Sequence, residues 1–255
     1  MKNLPEHFTA KSRYTDTAGV PWEGRDYTVS PFPDDTGEQL PQVTTALVAV
    51  DAGEDRFYEG LVKALRGTRV MVPITAVATD TAITEHGLKA DNASDMAVVK
   101  VQAGDDMALP IFTSTEELAQ WNAQARPVPM VIEQAAQAAV AEGCTMLIVD
   151  FGRREPIVLN RSALWAIGQG KDWTPPHSDP EVRADITGRL EGRVPHLLEV
   201  RLRPHSQREL DIVLVIEPGL NRAQLKQLVD EVQLRLSESE VVAEKVSSLK
   251  LTVTG

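Results

Sequence analysis

The stretch from Ala108 to Trp121 passes from an apolar run, Ala-Leu-Pro-Ile-Phe, straight into Thr-Ser-Thr-Glu-Glu. That order predicts a short strand leading directly into a helix. Thr113 with Glu116, and Ser114 with Glu117, both have the spacing of a capping box. In that motif a hydroxyl accepts from an orphan helix N–H while the glutamate reaches back to the cap. Leu118 and Trp121 then share one helical face. The segments on either side have to pack against this junction, which limits the folds open to the chain.

Those segments alternate in type. Val43–Val50 fits a strand by its β-branched residues, or a helix by its alanines and the Gly53 stop. Arg56–Arg66 predicts a helix, with Phe57, Leu61 and Leu65 on one face and Gly67 at its end. Arg69–Val77 predicts a strand, where Pro73 points to an edge or a bulge. Thr79–Ser94 is expected to be a polar loop. Asp95–Val101 and Met107–Phe112 predict a hairpin about Gly104. Pro127–Ile132 and Ile157–Asn160 are further strands. Thr145–Asp150 has the continuous apolar character of a strand buried on both faces. The Ala-rich run Glu133–Glu142 predicts a helix that lies close to a sheet, and Ser162–Ile167 a shorter one. Strands alternating with helices imply a mixed sheet with helical cover.

Gly168–His177 has the composition of a linker. Beyond it, Asp179-Pro180 is a favoured helix start. Leu197–Leu202 and Leu210–Glu217 predict strands. Asn221 caps a helix carrying Leu225, Leu228, Val232 and Leu236 on one face, and Ser248–Thr254 closes as a strand. The expected fold is therefore α+β: a mixed-sheet part with helical cover, then a small two-layer α-β-β-α-β part. Residues 1–40, rich in proline and without a sustained period, are expected to be an extended or partly disordered arm. Its aromatics Phe8, Tyr14, Trp22, Tyr27 and Phe32 would anchor it on the protein's own surface or on a partner.

Charge and cysteine content narrow the function. The net charge is −11, which does not suit broad binding to nucleic acid or anionic membranes. One cysteine, Cys144, excludes an internal disulfide and a multi-cysteine zinc site. No basic-then-apolar leader opens the chain, and no apolar run approaches the ~20 residues of a membrane helix. A cytoplasmic protein without a membrane role is expected.

Chemical signatures are sparse. Neither a phosphate-cradling Gly-x-x-x-x-Gly-Lys-Ser/Thr nor a Gly-x-Gly-x-x-Gly between strand and helix is present. Gly168-Gln-Gly-Lys171 follows a helix rather than a strand. No Gly-x-Ser-x-Gly elbow exists. His7, His86, His177, His196 and His205 lack metal-ligand spacing, so neither metal nor cofactor is expected. Cys144 follows Gly143 into a buried strand, as a small core residue does. Adjacent carboxylates such as Glu116-Glu117 suit a helix N-terminus structurally. Arg201 and Arg203 point to the same side of a strand, within a basic run from Arg183 to Arg208. They either pair with Glu209 and Asp211 or form an anion- or partner-binding surface. Trp121 and Trp165 read as core residues. Alternatively Thr113, Ser114, Asp150, Asn160 and Arg161 converge near them on a shallow pocket.

Several motifs occur in one order and spacing: Arg69-Val-Met-Val-Pro, Leu109-Pro-Ile-Phe-Thr-Ser with Trp121 behind it, Arg126-Pro-Val-Pro, Leu147-Ile-Val-Asp150, Arg161-Ser-Ala-Leu-Trp165-Ala-Ile, and Trp173-Thr-Pro-Pro with Asp179-Pro-Glu-Val182. Over about residues 46–182 this resembles the actinobacterial branch of the SseB family, named for enhanced serine sensitivity. The resemblance implies an α+β N-terminal domain and a helix at Val43–Val50, and the tail resembles the family's variable C-terminal domain. With the composition this divides the chain into a domain at 41–168, a linker at 169–178 and a C-terminal domain at 179–255. It implies no reaction, cofactor or catalytic residue. Phe151-Gly152 stands where many relatives have proline soon after the Leu-Ile-Val-Asp strand.

A non-enzymatic role through protein–protein contact or self-association is expected over an enzymatic one, with the long arm and short edge strands as pairing surfaces. A module binding an amino acid or another small anion is the alternative. It would use the Thr113/Ser114 helix start or the Arg201/Arg203 surface.

Overall fold

The computed structural model describes the backbone of residues 32–78, 81–83, 89–91 and 94–255, and side chains over 32–75 and 98–255. The chain divides into two units, Met1–Asp35 and Thr36–Gly255. The expectations for Phe8, Tyr14, Trp22 and Tyr27, and for His7 and His86, fall outside the described residues.

The second unit opens with α1 (Pro41–Asp51) and α2 (Glu59–Leu65), followed by β1 (Arg69–Ala78), β2 (Thr81–Ile83), β3 (Lys89–Asp91), β4 (Ser94–Val98), β5 (Val101–Ala103) and β6 (Asp106–Ile111). Next come α3 (Thr115–Trp121), β7 (Arg126–Val131), α4 (Ile132–Ala141), β8 (Met146–Val149), β9 (Ile157–Leu159) and α5 (Arg161–Gly168). The chain ends with α6 (Pro180–Leu190), β10 (Leu197–Arg203), β11 (Leu210–Ile216), α7 (Arg222–Ser237), α8 (Glu240–Lys245) and β12 (Leu249–Thr254). The fold is α+β.

Among the described residues the strands form the sheets β4-β1-β7, β5-β6-β8-β9, β10-β11-β12 and the pair β2-β3. The first two abut through one bridge, in which Met71 and Phe112 exchange backbone bonds of 2.8 and 2.9 Å. α4 presents Ile132, Ala135, Ala136 and Ala139 to the core, since small side chains let a helix backbone approach a sheet. A second core gathers Ile186 and Leu190 of α6, Leu210, Ile212 and Leu214 of β11, and Val232 of α7. A smaller cluster holds Phe112 and Leu118 with Trp121, whose ring stacks on Phe112 at 5.2 Å.

Several local expectations are corrected. α2 begins at Glu59 rather than Arg56, because Tyr58 takes a left-handed φ of 65° and the Asp55 carboxylate accepts from Leu61 N at 2.8 Å. β1 is a middle strand, not an edge. Its Pro73 lies opposite Pro127 and between the Phe112 bridge and the β4 ladder, where a missing N–H costs little. The run expected as one strand, Asp95–Val101, changes sheets: Val99 N still donates to Pro73 O at 3.0 Å, whereas Val101 pairs with Ala108. β2 and β3 occupy part of the expected loop, too short to show a period of two. α8 is an addition to the expected elements. Ser239 caps it by accepting from Val242 N at 3.0 Å, but six residues containing Val241-Val242 give little helical signal.

Candidate functional site

β6 and β8 are parallel neighbours, so their C-terminal ends deliver Thr113 and Asp150 side by side. Asp150 is fully buried. Its two carboxylate oxygens accept from Thr113 N and Thr113 Oγ1, each at 2.8 Å. Burial pushes its pKa up to about 6, against the lowering effect of both Thr113 bonds. Arg69 enters from β1 and donates to Thr113 O at 2.8 Å and to Glu38 O. Gln39 donates to Thr113 Oγ1 at 2.6 Å.

The start of α3 is also taken by the chain itself. Ser114 Oγ accepts from Glu117 N at 3.1 Å, and Gly37 O accepts from Thr115 N at 2.9 Å. Ser114 is thus the cap, and Thr113 is not, because its hydroxyl is committed to Asp150. Residues 37–39 lie across the helix start where an anion would otherwise sit.

Asn160 and Arg161 stand elsewhere, at the joint with the C-terminal sheet. Asn160 is the N-cap residue of α5 without a side-chain cap bond. Arg161 Nη2 donates to Ala243 O at 3.2 Å and Val246 O at 3.1 Å, closing the end of α8. Beside it, Ser162 donates to Glu209, Ser247 N donates to the other Glu209 oxygen at 2.6 Å, and Trp173 Nε1 donates to Ser162 Oγ at 3.1 Å. Burial raises the Glu209 pKa, opposed by these bonds. The expected linker is therefore docked through Trp173.

Arg201 and Arg203 lie on the open face of β10, side by side as expected. Arg201 pairs with Glu199 at 2.6 Å and Arg203 with Asp211 at 3.4 Å. Cross-strand from Arg201 is Val213, only 3% exposed. Long arginine stems on this face shield apolar surface while their heads stay in water. Of the residues expected to act together, the fold joins Thr113, Ser114 and Asp150. It holds Asn160 with Arg161, and Arg201 with Arg203, at two other places.

Two surface features leave no trace in sequence spacing. One is a cleft of about 430 Å³ where the α2 lead-in, the segment about His177 and the β10–β11 loop meet; Arg56, Phe57, His177, His205, Arg208 and Asn160 line it. Of these, Asn160 is a site candidate from sequence, and Arg208 belongs to the basic run that the sequence offers as an anion-binding surface. Burial lowers the His177 pKa, and its ring meets Phe57 edge-on at 4.4 Å. No spacing in the sequence connects Arg56 to Arg208. The other is a groove of about 630 Å³ beside β12, lined by Leu236, Val242, Val246, Leu249, Leu251 and Val253 among others. Among the described residues no three His, Cys, Asp or Glu side chains are grouped to hold a metal ion. No helix among them is long and apolar enough to cross a membrane.

The fold is α+β, with a parallel β6–β8 pair, an aspartate closing β8 and a helix start covered by the preceding segment. Residues 43–166 match the family model described as SseB protein N-terminal domain. Over that stretch the chain is similar to SseB protein N-terminal domains. No curated protein and no solved structure matches the chain.

Proposed function

We propose that the chain is a cytoplasmic SseB protein of the actinobacterial branch, with the family's variable domain at 179–255, and that it acts non-enzymatically by pairing with a second copy of itself. The observation that carries this reading is the contrast between the two edges of the C-terminal sheet. At the β10 edge, the Val200 N–H is taken by Glu191 at 2.9 Å, and charged side chains alternate along the strand. Such features blunt an edge against pairing. The β12 edge has no partner strand among the described residues and runs beside the apolar groove. Val253, 37% exposed, stands at that groove. A β12 strand from a second copy would satisfy the free backbone groups and cover Leu249, Leu251 and Val253 together, because alternate residues share a face.

Light scattering on the full chain, eluting from a sizing column at tens of micromolar, tests this. A dimer that Val253→Lys converts to a folded monomer is the expected result. A monomeric wild-type chain, or a dimer indifferent to Val253→Lys, ends the reading.

A further inference from the structure

We propose that the cleft between the α2 lead-in and the β10–β11 loop is a binding site for a small organic phosphate with a planar body, of the size of a mononucleotide. The inference is independent of self-association, since the cleft shares no lining residue with the β12 groove. Its volume of about 430 Å³ lies in the range of small-molecule sites, which favour junctions between packed parts of a chain.

Charge is the first argument. Arg56 and Arg208 both line the cleft, and neither guanidinium has a hydrogen-bond or ion-pair partner among the described residues. Arg66, Arg153, Arg189, Arg201, Arg203 and Arg235 have carboxylate partners; Arg126, Arg154, Arg193 and Arg222 have none among the described residues, but only Arg56 and Arg208 share this cleft. In a chain with 37 acidic and 26 basic side chains, two unpaired guanidiniums at one cleft leave room for an anion. Guanidinium forks match phosphate oxygens in geometry as well as charge. The acid at this cleft does not compete for them: both Glu209 oxygens are already engaged, by Ser162 and by Ser247 N. His205 Nδ1 accepts from Gln207 N and Arg208 N, both at 3.1 Å. That leaves Nε2 to carry the proton, as a donor whose ring is fixed.

The apolar wall is the second argument. Phe57 remains 40% exposed, and its ring is held against His177 at 4.4 Å with Pro175 and Pro176 on the same cleft. Exposed rings fixed in place offer a face to a planar ligand. The turn that presents Arg56 and Phe57 is held by the left-handed Tyr58, φ 65°, an uncommon conformation for a bulky residue and one that a surrounding structure must enforce.

Calorimetric titration of the full chain with AMP, adenosine and inorganic phosphate tests the proposal. AMP should bind more tightly than either half. Arg56→Ala and Arg208→Ala should each weaken AMP and phosphate at least tenfold, and Phe57→Ala should weaken AMP while sparing phosphate. Thermal melts of each variant establish that it folds. Absence of AMP binding at millimolar concentration overturns the proposal. So does AMP binding no tighter than phosphate, or binding unchanged in a folded Arg56→Ala/Arg208→Ala double variant. Val253→Lys should bind AMP normally, so failure of the dimer and failure of the site are separately visible.

Discussion

Asp150 holds the turn after β6 by accepting both the backbone N–H and the hydroxyl of Thr113, each at 2.8 Å. The carboxylate has no exposure to solvent and sits at a left-handed φ of 48°. Asparagine tolerates that backbone as well as aspartate does, so Asp150→Asn isolates the hydrogen bonding. A charge-assisted bond to a buried carboxylate is replaced by a neutral one, and one amide hydrogen faces a donor. A loss of about 1–3 kcal/mol in unfolding free energy at pH 7 is expected, measured by urea titration.

The same residue makes stability pH-dependent in a definite direction. Its folded pKa of about 6 lies above the ordinary aspartate value of 3.8, so the folded state binds the proton more tightly than the unfolded chain. By linkage the stabilisation from protonating Asp150 is fully present below the unfolded pKa and is lost as pH rises through about 6. The difference amounts to about 3 kcal/mol at full range. Wild type should therefore gain on Asp150→Asn as pH falls from 7 to 4.5. Comparing the two proteins removes the contribution of other groups, including Glu209, whose pKa is raised too. A constant gap across that range would refute the assignment.

Gly37 fixes the segment that covers the start of α3. Its φ is +79°, and a Cβ there would lie 2.7 Å from the Thr115 side chain. Gly37→Ala should lower stability by about 1–3 kcal/mol through backbone strain and overpacking. Amide exchange of Thr115, whose N–H is held by Gly37 O at 2.9 Å, should accelerate selectively.

Arg161 joins α5 to the end of α8. Because one of these bonds is at the surface, Arg161→Met should cost only about 1 kcal/mol. The informative readout is local: exchange should quicken in α8 and β12 while β6 and β8 stay protected. Uniform change along the chain would mean that the contact does not couple the two parts.

Cys144 is 5% exposed at the entry to β8, and burial raises its thiol pKa. Thiolate is the reactive form. Iodoacetamide should leave the native protein unlabelled at pH 7.5 and modify it completely in denaturant, with mass spectrometry as the readout.

The local chemistry of the chain fixes many boundaries. Ser114, Asp179 and Asn221 are the caps their neighbours imply, because a cap bonds within three residues of itself. The unbroken apolar run Leu147-Ile148-Val149 identifies the buried strand, since only a strand covered on both faces lacks polar alternation. Thr113 fails as a cap for a reason outside that window: its hydroxyl is claimed by Asp150, across a parallel strand pair. The surfaces depend on such long-range placement altogether. Arg56 meets Arg208 at one cleft, and Arg161 meets the end of α8, only after the C-terminal sheet has docked. Sequence spacing encodes bonds between near neighbours, so it determined most helices and caps and the buried strand here, but not α8 or the start of α2. Which polar groups end up paired, and which are left facing a cleft, depends on packing between distant segments, and only the tertiary structure decided it.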